Sequence, residues 1–403
     1  MDIKPDQIFI EEYNYELPED RIAHFPLLER DRSKLLVYEK GAIKDEEFFN
    51  LSQYLPANAT LVLNNTKVIE ARIFFQKDSG GVIEIFCLEP TTSVEHSMQE
   101  TKTAQWQCLV GGASKWKHGL VLQKIIQVKD NEVVLSATYI SKIEDAFIIE
   151  FSWTGNVAFS EVLFAAGNIP LPPYIKRKPV DEDAERYQTV FAKHKGSVAA
   201  PTAALHFTDA VFKQLGKKEI HPLYITLHVG AGTFKPVKTE TISDHQMHGE
   251  SFTVTKSLIE ALLKTEKIIA VGTTALRTLE SLHWLGVKIL NGQDDLILEQ
   301  WDAYNLNAAI TYKESIEALL QYLNKKGEDQ LHCRTSLLIV PGYKFKSAQA
   351  LITNFHQPKS TLLLLVAAFI GPNWKQVYHH ALKNNYRFLS YGDSSLLWRN
   401  DQR

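Results

Sequence analysis

Residues 352–362 have the composition of a ligand-binding loop. Asn354, His356 and Lys359 precede an apolar stretch that is typical of a helix. Polar groups crowded before a helix N-terminus form an anion site, because the first amides of the helix have no intrahelical partner. Helix capping explains Ser360 or its neighbour, but it leaves the amide, the imidazole and the ammonium group unexplained. We therefore expect this loop to bind substrate.

A second loop, residues 226–234, contains His228, Gly230 and Gly232 after a strand-like run. The two glycines permit a close approach of the backbone to a ligand, because they carry no Cβ. A tight turn explains the glycines equally well, and His228 can also be a hydrogen-bonded core histidine. The sequence leaves both interpretations open.

A third loop leads into a helix near residues 270–280. Thr273 or Thr274 is expected to cap this helix, whose N-terminal amides would attract a carboxylate or a phosphate. Arg277 lies one turn further on and adds a positive charge. An ordinary capped helix with an ion-paired arginine fits the same spacing.

A fourth region begins with the proline-rich and basic segment 170–178 and continues to His206. Tyr174, Arg186 and Tyr187 supply planar groups that can stack on bases or grip phosphates. A solvated charged face has the same pattern. The region therefore predicts a contact with nucleic acid, and a solvent-exposed charged face is the alternative interpretation.

Two further histidines, His245 and His248, have the spacing of metal ligands on one face of a helix. The glutamate of the His-Glu-x-x-His motif is missing between them. One alternative function is thus a metal-dependent barrel hydrolase, and its ligands would be His206, His228, His245 and His248. The cysteines, Cys87, Cys108 and Cys333, form no Cys-x-x-Cys pair that would indicate zinc or a disulfide framework.

The loops follow strand-like runs that must position them. Apolar runs at 33–38, 59–64, 221–228, 268–271 and 336–340 predict an α/β domain with parallel strands. Ligands collect at the carboxyl ends of such strands. Short β-rich runs separated by turns at 81–88, 106–110 and 132–140 predict a small all-β barrel.

These patterns predict a large α/β domain with parallel strands that is interrupted by a small β-barrel domain. The expected division is 1–71 for the first part of the large domain, 72–152 for the small domain and 153–403 for the second part. The polar segment 285–334 carries no evident chemistry and is expected to be an excursion from the main fold.

The composition is that of a soluble globular protein, with 45% hydrophobic and 23% charged residues among 403. The longest apolar run, 362–370, is shorter than the roughly 20 residues that span a bilayer. The polar N-terminus lacks the layout of a secretory signal, so a cytoplasmic location is expected. The formal net charge of -3 argues against non-specific coating of nucleic acid but not against a local basic groove.

Short sequence blocks that are typical of one protein family occur along nearly the whole chain. The blocks are YELP at 15–18, RIA at 21–23, RDRSKLLV at 30–37, LNNTKVIEAR at 63–72, PLPPYIKR at 170–177, YQTVF at 187–191, AAPTAALHFT at 199–208, TLHVGAGTF at 226–234, GTTALRTLE at 272–280, PGYKF at 341–345, TNFHQPKSTL at 353–362 and SYGD at 390–393. Each block is short, but their joint presence in this order is specific. Through these blocks the chain resembles the S-adenosylmethionine:tRNA ribosyltransferase-isomerases of queuosine biosynthesis.

The resemblance implies a fold in which a large barrel-like α/β domain is interrupted by a small β-barrel domain, and it also implies a reaction. The ribosyl group of S-adenosylmethionine is transferred to 7-aminomethyl-7-deazaguanine at the wobble position of tRNA and is rearranged, with release of adenine and methionine. S-adenosylmethionine is then a co-substrate, no metal is expected, and the partner is a tRNA with a GUN-type anticodon. A monomer without membrane contact is expected.

For this reaction, the general base is expected to be His206, His228 or His356, which the sequence does not rank. Arg277 and Lys359 are expected to anchor a carboxylate or a phosphate. The small domain is expected to contact tRNA. Its contact residues are Lys115, Trp116 and Lys117.

Some positions depart from the family pattern. Ala204 replaces a usual glycine, Gln357 replaces a leucine, and the segment starting at Gly111 lacks a usual arginine. A tRNA-binding paralogue without catalysis is therefore a second alternative.

The active-site hypothesis makes a geometric prediction. His206, His228, Arg277 and His356 are expected to face one cavity at the carboxyl ends of the large-domain strands, because the reacting groups must meet in one place.

Overall fold

The computed structural model describes residues 5–77, 79–117, 119–143, 146–230, 237–307 and 309–400. The strands are β1 (Lys34–Glu39), β2 (Ala42–Glu47), β3 (Thr60–Asn64), β4 (Thr66–Val68), β5 (Arg72–Gln76), β6 (Val82–Pro90), β7 (Thr103–Gly111), β8 (Leu122–Val128), β9 (Asn131–Ile143), β10 (Ala146–Trp153), β11 (Gly167–Asn168), β12 (His194–Ser197), β13 (His221–Leu227), β14 (Glu250–Thr255), β15 (Ile268–Val271), β16 (Ile297–Leu298), β17 (Gln330–Thr335), β18 (Ala350–Asn354) and β19 (Ser394–Trp398). The helices are α1 (Val94–Gln99), α2 (Phe159–Ala166), α3 (Asp183–Arg186), α4 (Asp209–Gly216), α5 (Lys256–Lys264), α6 (Thr273–Leu290), α7 (Asp302–Asn305), α8 (Tyr312–Lys326), α9 (Thr361–Ile370) and α10 (Trp374–Lys383).

A large mixed sheet forms the centre of the molecule, with the strand order β16-β17-β14-β13-β3-β15-β18-β19-β1-β2. Its four central strands, β13, β3, β15 and β18, run parallel. Every residue of β15 and β18 is buried, which explains their continuous apolar runs. The carboxyl ends of these four strands therefore lie at one edge of the sheet.

Side chains of the central strands alternate between two cores, because successive residues of a strand point to opposite faces. Val62 and Ala270 pack with the long helix α6 on one face. Leu61 and Ile269 pack with Val211 of α4 on the other face. Among the described residues, no helix combines the length and the apolar composition needed to cross a membrane.

The segment 285–334 is not an excursion from the fold. Its helix α8 packs against α6 through Ile316 and Leu319, and its last strand, β17, pairs with β14 in the large sheet. The run 336–340 is also not a strand, although it is largely buried. Its burial against α6 and α9 explains the apolar composition that suggested a strand.

A second sheet of seven antiparallel strands has the order β11-β5-β6-β7-β10-β9-β8. Trp106 and Phe151 of this sheet pack against Phe159 of α2. Strand pairing among the described residues leaves both sheets open, so neither the small barrel nor the barrel-like closure of the large domain is confirmed. The mixed α/β class is confirmed, and the domain limits at 71 and 152 stay a prediction.

Candidate active site

All four predicted loops reach one open cavity of about 710 Å³ at the carboxyl ends of the central parallel strands. The second loop contributes Val229, and the third contributes Gly272 and the threonines after it. Its polar wall consists of Tyr174, Thr273, Thr274, Thr353, Asn354 and His356. We call this space the first cavity.

His356 is the predicted histidine that lines the first cavity. Thr353 Oγ1 lies 3.0 Å from its Nε2. The backbone N–H of His356 donates to the Tyr378 hydroxyl at 3.0 Å, and the Tyr15 hydroxyl donates to its carbonyl oxygen. Burial lowers the pKa of His356 to about 3. The imidazole is therefore neutral and fixed in orientation near pH 7.

His206 lies behind the wall of the first cavity. Its Nδ1 is 2.9 Å from Ser33 Oγ, and its Nε2 is 3.5 Å from Asn354 Nδ2. The ring instead lines a smaller cavity of about 290 Å³, together with Arg30 and Arg387. Burial is the main cause that lowers its pKa to about 4. His206 therefore reaches the first cavity only through Asn354, whose Oδ1 accepts a hydrogen bond from Thr202.

His228 is half-buried and is not among the described residues that line these cavities. Its Nδ1 is 3.4 Å from Thr66 Oγ1. Gly196 packs against the ring so closely that a Cβ there would lie 2.9 Å from the imidazole. The shared cavity predicted for the histidines therefore contains His356 but neither His206 nor His228.

The N-terminus of α6 faces the first cavity without a side-chain cap. The helix begins at Thr273, and its N-cap residue is Gly272, which has a φ of 89° and a ψ of 149°. The prediction that Thr273 or Thr274 caps this helix is wrong, since both residues are already helical. The amides of the first turn consequently remain free of a capping side chain among the described residues.

A larger space of about 1630 Å³, the second cavity, shares Thr273, Thr274 and Leu362 with the first. Both sheets contribute to its walls. Leu88, Glu89, Gln107 and Leu109 come from the antiparallel sheet, and Glu250 comes from β14 of the large sheet. Gly230 lies in the loop after β13, and Arg277 lies on α6. The N-terminus of α6 is thus the partition between two adjoining spaces.

Arg277 and Glu250 form an ion pair in the wall of the second cavity. Their side chains are 11% and 8% exposed. Glu250 Oε1 also accepts a hydrogen bond from the backbone N–H of Gly230 at 3.0 Å. Burial lowers the pKa of Arg277 to about 10, so the guanidinium stays positive near pH 7.

His245 and His248 also line the second cavity. They lie in a loop before β14 and not on a helix, so the helical spacing predicted for them is wrong. Burial and the nearby His248 lower the pKa of His245. The part of the chain that the structure describes contains no group of three His, Cys, Asp or Glu side chains placed to hold a metal ion.

Three other predicted residues lie away from the two cavities. Lys359 Nζ pairs with Glu11 at 2.6 Å, and Arg186 donates to the carbonyl oxygens of Leu27 and Leu28. Tyr187 is fully buried. Its ring is therefore not exposed for stacking on a base, in contrast to Tyr174, which lines the first cavity.

The predicted tRNA-contact residues of the small sheet divide into two groups. Lys115 and Lys117 are exposed. Trp116 is buried, and its indole N–H donates to the Leu120 carbonyl oxygen at 2.8 Å. The indole is thus part of the core of the small sheet. Gly232 lies outside the described residues.

Comparisons with known proteins agree with the resemblance seen in the sequence. A family model described as "Queuosine biosynthesis protein" matches residues 10–397. The chain belongs to this family. A relative from Halothermothrix orenii, named S-adenosylmethionine:tRNA ribosyltransferase-isomerase, is 39% identical over 96% of this chain and 99% of its own length. A relative of the same name from an Azoarcus species is 36% identical over 97% of this chain and 98% of its own length.

A solved structure of an S-adenosylmethionine tRNA ribosyltransferase from Thermotoga maritima is 28% identical to this chain. The match covers 96% of this chain and 99% of the other one, with a TM-score of 0.46.

Sequence reasoning missed several residues of the two cavities. Glu250 pairs with Arg277, Thr353 contacts His356, and Ser390 Oγ lies 2.6 Å from the Tyr174 hydroxyl. Ser390 belongs to the family block SYGD, and Thr353 opens the block TNFHQPKSTL, so both carried a signal. Glu250 stands in none of these blocks, and only its position in space reveals its partner.

Proposed function

We propose that this member of the queuosine biosynthesis family transfers the ribosyl group of S-adenosylmethionine to 7-aminomethyl-7-deazaguanine in tRNA and isomerises it. Adenine and methionine are the released products, and the modified base is at the wobble position of the anticodon. The observation that carries the proposal is the convergence of the four family loops on the first cavity, whose wall includes the neutral imidazole of His356.

The chemistry requires a base near the sulfonium. A positive sulfur makes the hydrogens on the adjacent ribose carbon acidic, because it stabilises the carbanion that remains. His356 is unprotonated near pH 7 and is held by Thr353, Tyr378 and Tyr15. We assign it the role of general base, which takes a proton from this carbon before adenine leaves.

His206 is proposed to act as a positioning residue. Its contact with Asn354 places it one hydrogen-bonded step from the first cavity. Tyr174 is the aromatic residue of the first cavity that is placed to stack on a base. The amides of the uncapped α6 N-terminus provide an anion site beside it.

The proposed partner is a tRNA with a GUN-type anticodon, bound by a monomer in the cytoplasm without a resident metal. The exposed lysines Lys115 and Lys117 on the small sheet are proposed phosphate contacts. The second cavity lies between the parallel strand ends and the small sheet and adjoins the first cavity, which fits a base that leaves its stack to react.

The test is to incubate the protein with S-adenosylmethionine and with tRNA that carries the 7-aminomethyl base, and to analyse nucleosides by mass spectrometry. We expect the modified nucleoside, adenine and methionine, and we expect all three to require both substrates. Accumulation of S-adenosylhomocysteine would identify a methyltransferase and refute the proposal. Binding of tRNA without any product would favour the non-catalytic paralogue.

A further inference from the structure

The Arg277–Glu250 ion pair is an unusual feature in the wall of a large cavity. The two oppositely charged side chains are about nine-tenths buried and pair with each other, although both line the second cavity. A buried ion pair contributes little net stability, because desolvation of the two charges offsets most of their attraction. A purely structural role therefore gives little reason for placing this pair in a ligand-sized space.

The pair also leaves hydrogen-bonding capacity unused. Arg277 Nε is buried and has no hydrogen-bond partner among the described residues. A buried donor without an acceptor is destabilising, because it has lost its hydrogen bonds to water. Since Nε itself has no exposed surface, an anionic ligand reaches the guanidinium through the 11% of the Arg277 side chain that is exposed in the wall of the second cavity.

The N-terminus of α6 adds donors beside Arg277. Thr273 lies one turn before Arg277 on the same side of the helix, and both residues line the second cavity. The Thr273 side chain is 7% exposed and makes no hydrogen bond to another described residue. The uncapped first turn, the threonine hydroxyl and the guanidinium thus converge on one anion position.

Apolar side chains form part of the remaining wall. Met247, Leu338, Ile339 and Leu365 line the second cavity beside the charged pair. A ligand for this space therefore has a short apolar chain that ends in one positive and one negative group. The α-amino acid end of a methionyl group has these features.

We propose that Arg277 and Glu250 form a clamp for the zwitterionic end of S-adenosylmethionine. Arg277 and the α6 N-terminus bind the α-carboxylate, and Glu250 binds the α-ammonium group. The inference rests on the proposed function, which supplies S-adenosylmethionine as the substrate. Ligand binding exchanges one internal ion pair for two charge-assisted contacts, so the summed charge of Arg277, Glu250 and the bound amino-acid end stays zero.

The clamp places the other parts of the substrate. Thr273 and Thr274 border both cavities, so a methionyl group in the second cavity directs the sulfonium and the ribose across the α6 N-terminus toward His356. The clamp thereby separates recognition of the amino acid from the chemistry at the ribose.

The experiment measures binding by titration calorimetry with three probes: S-adenosylmethionine, its decarboxylated form and the analogue that lacks the α-amino group. For the wild-type protein we expect each analogue to bind about ten- to a hundredfold more weakly, because each loses one charge-assisted contact. In R277Q the decarboxylated form should bind about as tightly as S-adenosylmethionine, so the affinity penalty for losing the carboxylate disappears. The analogue that lacks the α-amino group should still bind more weakly, so its affinity penalty remains. In E250Q the opposite pattern is expected.

The double variant E250Q/R277Q leaves no unpaired buried charge, so it keeps the test valid if a single variant fails to fold. It should bind all three probes with similar, weak affinity. D183N is the matched control, because it breaks another buried ion pair, that of Asp183 with Arg177. It should lower stability and leave both penalties in place.

Adenine release by the wild-type protein tests the proposed function separately. If adenine is released but E250Q and R277Q keep both wild-type penalties, the clamp is refuted and the function stands. If the wild-type protein releases no adenine from S-adenosylmethionine and tRNA, the proposed function fails, and the clamp fails with it.

Discussion

The two cavities adjoin at the N-terminus of α6 but differ in the kind of polar group that lines them. In the first cavity the groups are neutral and hydrogen-bonded to one another, as in the contact between His356 and Thr353. In the second cavity the polar groups include the charged pair of Arg277 and Glu250. The first cavity is lined by residues of the large sheet and its loops, whereas residues of both sheets line the second cavity.

This difference indicates a division of labour. A neutral, oriented imidazole suits proton transfer, because its unprotonated nitrogen can accept a proton. A charged pair suits recognition of a zwitterion, since charge-assisted hydrogen bonds are about twice as strong as neutral ones. The same helix terminus serves both spaces, which fixes the distance between recognition and chemistry.

The largest expected effect is on turnover in the first cavity. H356A should lower kcat by about a hundredfold or more with little change in tRNA affinity, because a general base acts in the transition state. Single-turnover release of adenine measures the chemical step. An H356A variant that retains more than about a tenth of the wild-type rate would move the base to another group.

The matched control is H283N. His283 is also fully buried, and its Nδ1 lies 2.9 Å from Ser315 Oγ, but it is not among the residues that line the cavities. This variant should lower stability while turnover per folded molecule stays near the wild-type value. Equal losses in H283N and H356A would show that the rate only reports damage to the fold.

A second prediction concerns acid. Burial lowers the pKa of His206 to about 4, and that of His283 and His356 to about 3, from an ordinary value of 6.5. Since the folded state holds these rings neutral, their contribution to the free energy of unfolding is complete above pH 6.5 and is lost as the pH falls toward 4. In this window each ring should make the free energy of unfolding fall by about 1.4 kcal/mol per pH unit.

Urea unfolding at pH 7, 6 and 5 measures this slope. H206Q should reduce the pH slope by the contribution of one histidine, because glutamine does not titrate. H332Q is the control, since His332 is exposed, and it should leave the slope unchanged. An unchanged slope in H206Q would mean that His206 is not neutral in the folded protein, and the pKa of about 4 assigned to it would be wrong.

The smallest expected effect lies on the small sheet, which contributes walls to the second cavity only. Replacing Lys115 and Lys117 with alanine should weaken tRNA binding modestly and lower the salt slope of log Kd by up to about two, because each lost phosphate contact removes counterion release. Affinity for S-adenosylmethionine should not change. Filter binding at several salt concentrations measures the slope.

The matched control changes Lys325 and Lys326, two exposed lysines at the end of α8, to alanine. This pair should leave the salt slope at its wild-type value. If both double variants lower the slope equally, tRNA is not bound specifically through the small sheet.

The sequence predicted the central strands β13, β3 and β15 and the four loops, because buried parallel strands such as β15 read as short apolar runs. The fourth central strand, β18, was not among the predicted strands. The sequence also predicted Ser360 or Thr361 as a cap of α9, and the structure shows that the Ser360 hydroxyl accepts the Leu363 N–H at 3.2 Å. The run 336–340 was misread as a strand, since apolar composition alone does not distinguish a buried loop from a strand. The segment 285–334 was misread because α8 is polar on its outer face and buries only one stripe.

What the sequence determined by itself was the family, the alternation of strands and loops, and the set of polar residues near the site. Only the tertiary structure decided which of them share a space. His206, His228 and His356 look equivalent in the chain, but strand pairing and packing place one at the cavity, one behind Asn354 and one against Gly196. The sequence also did not reveal that Arg277 pairs with Glu250. These residues are far apart in the chain, and they meet only because β14 lies beside α6 in the folded protein.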